Sequence, residues 1–256
     1  MEEKIKKRLS ALADRYGLDF EQLEKDFLGL IEEGYSEHGA LVALKSRYKY
    51  LEGSLSGKII MYPVRIFEPR SVELNSGETA ENVSIAGLFV VGDTVFASQL
   101  TLWDEKIAMV ENIEELKPYE FEGRYHPGKN RVYLGREKTI SEAGDARPLG
   151  ELLIEIFSDM DSYSFPELSD LIGQRVLIGG YIGRVSKQED FTVLEIGTLD
   201  DDPVAVFVWE DDEIPDGIEG KAKAAVLGRV VKNNNDEITI SADYVKIIPR
   251  DVAVAD

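Results

Sequence analysis

The sequence predicts a mainly β protein, with an α-helical N-terminal module followed by two five-stranded barrels in tandem. Two observations predict it. The hydrophobic period is helical up to about residue 52 and changes to two from Gly57 onward. The only tryptophans close two similar strand endings, Leu102-Trp103-Asp104-Glu105 and Val208-Trp209-Glu210-Asp211, 106 residues apart. Downstream Gly-Arg pairs, Gly123-Arg124 and Gly228-Arg229, lie 105 residues apart. A shared interval at two separate points marks an internal duplication.

In the helical module, Ile5, Leu9, Leu12 and Tyr16 recur at helical spacing until Gly17 stops them. Asp19 is placed to cap a second helix carrying Leu23, Phe27, Leu30 and Ile31, and Ser36 a third carrying Leu41, Leu44 and Tyr48. Strands are then predicted at Lys58–Glu68, Val83–Val91, Thr94–Trp103, Tyr119–Tyr125 and Arg131–Gly135, with a short helical insert at residues 112–116. Five strands with an insert between the third and fourth is the order of an OB-fold barrel. Pro148 opens a connecting helix, Leu149–Met160. The second copy repeats the plan at Arg175–Val185, Phe191–Gly197, Pro203–Trp209, Ala222–Val231 and Glu237–Ala242, with a tight turn at residues 233–236 and no helix in its 210–221 connection. The expected domains are thus 1–52 (helical), 53–142 (first OB-fold), 143–170 (linker with helix) and 171–250 (second OB-fold).

Composition narrows the chemistry. There is no cysteine, and only His38 and His126 remain as histidines, so disulfides are excluded and a zinc site is disfavoured. No nucleophile–base pair can be assembled from these residues. Asp200-Asp201-Asp202 also lacks the ligand spacing of a calcium loop. The reading is a non-enzyme without metal or cofactor. The charged N-terminus and the absence of a span of 18 or so apolar residues point away from export and membranes, toward a cytoplasmic, nucleoid-associated protein. The net charge of −20 is uneven: residues 1–53 carry −2, residues 54–147 carry −4 and residues 148–256 carry −14, with 9 basic against 23 acidic side chains in that last stretch. A polyanion would be repelled from the second copy unless a local groove reversed the sign.

The strand Thr94–Trp103 alternates Phe96, Ser98, Leu100 and Leu102 on one face with Val95, Ala97, Gln99, Thr101 and Trp103 on the other. Trp103 falls on the wetter face, where an indole either offers a stacking platform to a nucleobase or covers the barrel mouth. Beyond it, Arg124, Tyr125, Lys129, Arg131, Tyr133, Arg136 and Lys138 form the densest basic stretch of an acidic chain, interleaved with aromatics. Cations beside rings suit a single nucleic-acid strand; a solvated edge hairpin with protective charges is the alternative. Arg65 and Phe67 share a parity on the first strand and are further candidates. The run Gly123–Asn130 nearly matches a phosphate loop, but it has Asn where Ser or Thr must reach Mg²⁺, and a strand follows instead of a helix.

The segment Leu100-Thr101-Leu102-Trp103-Asp104-Glu105-Lys106, with Leu116-Lys117-Pro118-Tyr119 and the Gly123-Arg124 strand, resembles the OB-fold modules of archaeal replication protein A. Ala13-Asp14-Arg15-Tyr16-Gly17-Leu18 and Glu37-His38-Gly39-Ala40 resemble the helical start of that family. The resemblance covers most of the chain and is strongest over residues 57–142. It implies a single-stranded DNA-binding protein acting in replication, repair or recombination. A base would stack on Trp103, and the loop 125–133 would close over the strand. Arg124, Lys129, Arg131 and Lys138 would meet phosphates, with Tyr125 or Tyr133 as a second ring. Implied partners are single-stranded DNA, replication or repair proteins and other replication protein A subunits. The chain departs from many relatives in lacking a cysteine zinc module. In the second copy the candidates are Phe207, Trp209, Arg229 and Lys232, but the loop Lys232-Asn233-Asn234-Asn235 offers no aromatic and acidic runs flank the indole. That leaves open an accessory subunit whose barrels mediate protein assembly, and an RNA-binding role.

Overall fold

A computed structural model describes residues 3–16, 18–32, 34–48, 54–73, 77–135, 139–157, 165–199, 201–209 and 214–249. Helices α1 (Glu3–Tyr16), α2 (Phe20–Glu32) and α3 (Glu37–Tyr48) pack Leu9, Leu23, Phe27 and Leu44 into a core of their own. The two expected caps are present. An Asp19 carboxylate oxygen accepts from the Glu21 N–H at 3.2 Å, and Ser36 Oγ accepts from the Gly39 N–H at 3.1 Å. Gly34, at φ +95°, ends α2 in the left-handed conformation that favours glycine.

The first barrel comprises β1 (Leu55–Ile66), β3 (Thr79–Val91), β4 (Thr94–Trp103), β5 (Tyr119–His126) and β6 (Arg131–Leu134). Their order is β1-β3-β4-β6-β5, closed by pairing of β5 with β1, and β4 runs parallel to β6. The second barrel comprises β8 (Arg175–Lys187), β9 (Thr192–Gly197), β10 (Val204–Val208), β11 (Ala222–Lys232) and β12 (Ile238–Pro249), closed in the order β10-β12-β11-β8-β9 with β10 parallel to β12. Both are the five-stranded OB-fold order. Inward residues fill each barrel: Ile59, Met61, Ile85, Leu100 and Phe121 in the first, Ile178, Leu194, Val206, Val226 and Ile240 in the second.

Two further short strands depart from the sequence expectation. The strand β2 (Arg70–Glu73) pairs with β3, and β7 (Ser141–Glu142) pairs with β5. The first is wholly exposed and the second only two residues long, so neither shows a hydrophobic period. The insert also moves: a 3-10 segment spans Asp104–Asn112, upstream of the expected 112–116. It begins directly after Trp103 because Asp104 adopts φ +48° and its carboxylate accepts from the Glu81 N–H at 3.1 Å.

The linker helix does more than connect. Helix α4 (Leu149–Ile156) and Phe157 lie in a hydrophobic seam between the barrels, with Tyr62, Val64, Ala86, Leu88 and Ala97 from the first and Ala225, Leu227 and Ile248 from the second. A Cβ on Gly179 would come within 2.3 Å of the Phe157 ring, so a glycine there admits the ring against β8. The far end of the expected helix, up to Met160, lies outside the described residues.

Candidate nucleic-acid interface

Directly opposed residues in a sheet share a face, so the strand registers lay out the outer surface of the first barrel. One row reads Arg65–Ala86–Gln99–Arg131 across β1, β3, β4 and β6. The next sets Ser84 beside Thr101, their hydroxyls 3.1 Å apart, and Tyr133 beside Arg124 and Ser56. The Arg124 Nε donates to Ser56 Oγ at 3.0 Å. A third row reads Arg70–Asn82–Trp103 across β2, β3 and β4. Trp103 is 37% exposed and Tyr133 40%, whereas the in-facing Leu100, Leu102 and Val132 are buried. The expected outward face of β4 is therefore split. Val95 and Ala97 turn into the inter-barrel seam, and Gln99, Thr101 and Trp103 remain as its polar half.

Arg131, Tyr133, Arg124 and Trp103 come together on this surface as the sequence placed them. Tyr125 does not. It lies on the inward parity of β5, half-buried, with its ring stacked on Phe96 at 3.6 Å, and burial raises its phenol pKa. One face of that ring is thus occupied, and Tyr133 is the tyrosine presented outward. Arg136 and Lys138 lie outside the described residues.

The hairpin carrying Lys129 is also less free than a closing loop requires. Asn130 sits at φ +45°, a conformation asparagine tolerates. Its carbonyl accepts from Ser98 Oγ at 2.9 Å, and its Nδ2 donates to the Arg175 carbonyl of the second barrel at 2.6 Å. The expected swing over a bound strand gives way to a hairpin pinned between barrels. Residues 123–126 are strand and 131–134 are strand, so the near-match to a phosphate loop forms no such loop.

Between the barrels the hairpin borders a cleft of about 340 Å³. Among the described residues its charged lining is Arg70, Lys129, Arg131, Arg175 and Arg229 against one carboxylate, Glu68. Arg175 is the keystone: Nε donates to Asp243 at 2.8 Å, Nη1 to Gln99 Oε1 at 2.6 Å, and the guanidinium lies 5.2 Å from the Phe67 ring centroid. Arg65 also lies over Phe67, at 5.6 Å. Phe67 is accordingly a wall of the seam between two guanidiniums. Arg229 lies in the cleft, its Nε donating to the Gly173 carbonyl at 3.0 Å. Sequence reasoning missed Arg175, which the registers pair with Arg229; it missed Gln99 and Asn82 as cleft residues too. From the sequence, Arg70 stands only beside Arg65 as an alternative path for the phosphates, because its wholly exposed strand has no hydrophobic period.

The second barrel presents a different surface. Phe191, Phe207 and Trp209 cluster with ring centroids 5.1–6.3 Å apart, and Trp209, 51% exposed, donates from Nε1 to Ser241 Oγ at 3.2 Å. A hollow of about 390 Å³ opens beside them, bounded by Lys232 and Asn233-Asn234-Asn235. Lys232 is exposed, and its Nζ lies 3.6 Å from Asp236.

No protein-family model and no curated protein matches this chain. Solved structures with some likeness include a murine DNA-binding protein bound with double-stranded DNA, at 11% identity over 74% of this chain and 97% of that one, TM-score 0.35. Another is the Ifi202 HINa domain in complex with 20-bp double-stranded DNA, at 12% identity over 77% and 100%, TM-score 0.39. The p202 HIN1 domain with a double-stranded 12-mer gives 11% over 77% and 96%, TM-score 0.37. Likeness at this level carries no function across, and the barrel assignment stands on the strand pairings themselves.

Proposed function

We propose that this chain is a single-stranded DNA-binding protein of the replication protein A type, a non-enzyme that protects single strands. The observation that carries the reading is the outer face of the first barrel, where exposed Trp103 is level with Asn82 and Arg70 and beside the face bearing Tyr133, Arg124 and Arg131. Rings for bases and guanidiniums for phosphates, gathered in a protein of net charge −20, support a polyanion ligand at this face rather than over the surface at large. Fluorescence titration of the intact protein with oligo-dT tests it. Stacking is worth roughly 1–3 kcal/mol per base, so Trp103→Ala should weaken binding about tenfold or more with the fold retained. Unchanged affinity in the folded variant would remove Trp103 from the site. A stronger response to duplex or to RNA oligonucleotides would redirect the ligand class.

A second reading, an accessory subunit assembled through its barrels, is favoured by one feature: the exposed aromatic trio of the acidic second barrel. It predicts weak or no binding of oligo-dT.

A further inference from the structure

The hollow beside Phe207 and Trp209 belongs to the second barrel alone, and the registers show what the duplication changed there. In the first barrel Arg131 opposes Gln99 and His126, and Tyr133 opposes Arg124. The corresponding positions of the second are Thr239, opposite Ala205 and Val231, and Ser241, opposite Arg229. An outward cation and an outward tyrosine are thus replaced by two hydroxyls. One of them fixes the indole, since Ser241 Oγ accepts the Trp209 Nε1–H at 3.2 Å. The other lies deeper. Thr239 lines the hollow and is 2% exposed, and its hydroxyl has no hydrogen-bond partner among the described residues. Buried hydroxyls are ordinarily bonded, so this one is left for a group that enters the hollow.

The sign of the surface says which group. Lys232 is the one charged residue lining the hollow among the described residues. The two lysines that end β8 and β11, Lys187 and Lys232, are each beside a carboxylate, Asp216 at 2.5 Å and Asp236 at 3.6 Å. Exposed Glu189 and Asp190 directly precede Phe191, and exposed Asp236 and Glu237 continue the hairpin that bounds the hollow. In the sequence, Glu210, Asp211, Asp212 and Glu213 follow Trp209. Three rings within an anionic surround repel a phosphodiester and attract a cation, and a cation over an indole gains from the ring quadrupole. Arginine is the side chain that most often does so.

We propose that this face docks a basic peptide segment of a partner protein, with an arginine in the hollow, its guanidinium over the Trp209 ring and one N–H donated to the Thr239 hydroxyl. Every residue involved lies in the second barrel. The inference is therefore independent of the ligand the first barrel takes.

The test uses the full chain and a fluorescein-labelled peptide of alternating arginine and serine, followed by anisotropy, with a glutamate–serine peptide as the control of opposite sign. The wild-type protein should bind the basic peptide and not the acidic one. Trp209→Ala should weaken that binding about fivefold, and Trp209→Phe less, because a smaller ring keeps part of the cation–π attraction. Thr239→Val keeps the shape of the side chain and should weaken binding by a similar factor without lowering the thermal midpoint, since the free protein loses no hydrogen bond. Trp103→Phe leaves Trp209 as the sole indole, whose emission should respond to the basic peptide and not to oligo-dT. Failure of the basic peptide to bind would overturn the proposal. So would an affinity untouched by the Trp209 and Thr239 substitutions, which means attraction to the acidic surface at large. Quenching of Trp209 by oligo-dT would give this face to nucleic acid and overturn it as well. None of these results removes Trp103 from the first barrel's site, so the single-strand reading stands or falls by its own titration.

Discussion

The two barrels share a strand order, a terminal tryptophan and a Gly-Arg pair, yet matched positions on their outer faces differ in kind. Where β11 and β8 carry Ala225, Leu227 and Leu177, the offset of 105 and the registers match Glu120, Glu122 and Lys58 of the first barrel. The first set is seam; the second is open surface, where Lys58 and Glu120 pair at 2.5 Å. The exchange also runs the other way. Ala86 of the first barrel's seam, paired with Gln99, matches Glu195 of the second, paired with Ala205. The copies therefore pack through different faces, as a head-to-tail contact requires. Each leaves open the face its twin buries. The duplicated scaffold positions two indoles alike, and the seam decides that one stands among Asn82, Arg70 and Tyr133 and the other among Phe191 and Phe207.

If the seam makes the barrels one unit, cutting it should affect both. Phe157 is buried to 2% exposure against Gly179, between the two barrels. Phe157→Ala should cost about 3–5 kcal/mol. In urea, β-sheet signal from both barrels should be lost in one transition at a lower midpoint. Two separate β transitions, only one displaced, would show barrels that fold independently and would break the comparison at its root.

Much of this architecture was legible in the sequence. Alternation located nine of the ten barrel strands to within about four residues at each end, because each has one face in a barrel core. The β12 strand outruns its expected end at Ala242 and continues to Pro249, because Tyr244 and Ile248 pack in the seam. The seam itself went unread, although its signal was present. Ala224-Ala225-Val226-Leu227 and Ala86-Gly87-Leu88-Phe89 are unbroken apolar runs, as expected of strands buried on both faces. Of the candidate site, parity placed Trp103, Arg131 and Tyr133 outward. It could not reveal the cleft, whose cations Arg70, Arg175 and Arg229 are brought together by barrel packing and not by spacing along one strand. Tyr125 shows the opposite failure: its aromatic character suggested a platform, while its parity with Phe121 already placed it inward.

A smaller effect separates the two loops that close the barrels' last hairpins. Lys129→Glu with Arg131→Glu removes two cleft cations, and each lost phosphate contact flattens the dependence of log affinity on log salt by about 0.7 for a single strand. The double variant should show a slope shallower by about 1.4, with affinity reduced alike for every sequence, because phosphates carry no base information. Lys232→Glu, in the corresponding loop of the second barrel, should leave the slope unchanged, since Lys232 lies beside Asp236 and outside the cleft. Equal effects from the two loops would erase the distinction drawn between them.

The smallest effect is a pH dependence confined to the first barrel, since His126 lies in its hairpin and the second barrel contains no histidine. Burial, joined by the nearby Lys129 charge and opposed by a backbone hydrogen bond, lowers the His126 pKa from its ordinary value of 6.5. The geometry agrees: Nδ1 accepts the Lys129 N–H at 3.2 Å, which requires that nitrogen to be unprotonated. With the folded pKa depressed, the unfolded chain binds more protons across the interval between the two values. The stability contributed by neutral His126 is therefore fully present above about pH 6.5 and is lost as pH falls through the folded pKa. Between pH 7 and pH 5, the wild-type protein should lose more unfolding free energy than His126→Asn, whose amide oxygen can accept the same N–H without titrating. The difference isolates the histidine from the carboxylates that titrate in both proteins. An imidazole observed by NMR to titrate at or above 6.5 would mean that the turn beneath Lys129 does not depend on a neutral ring.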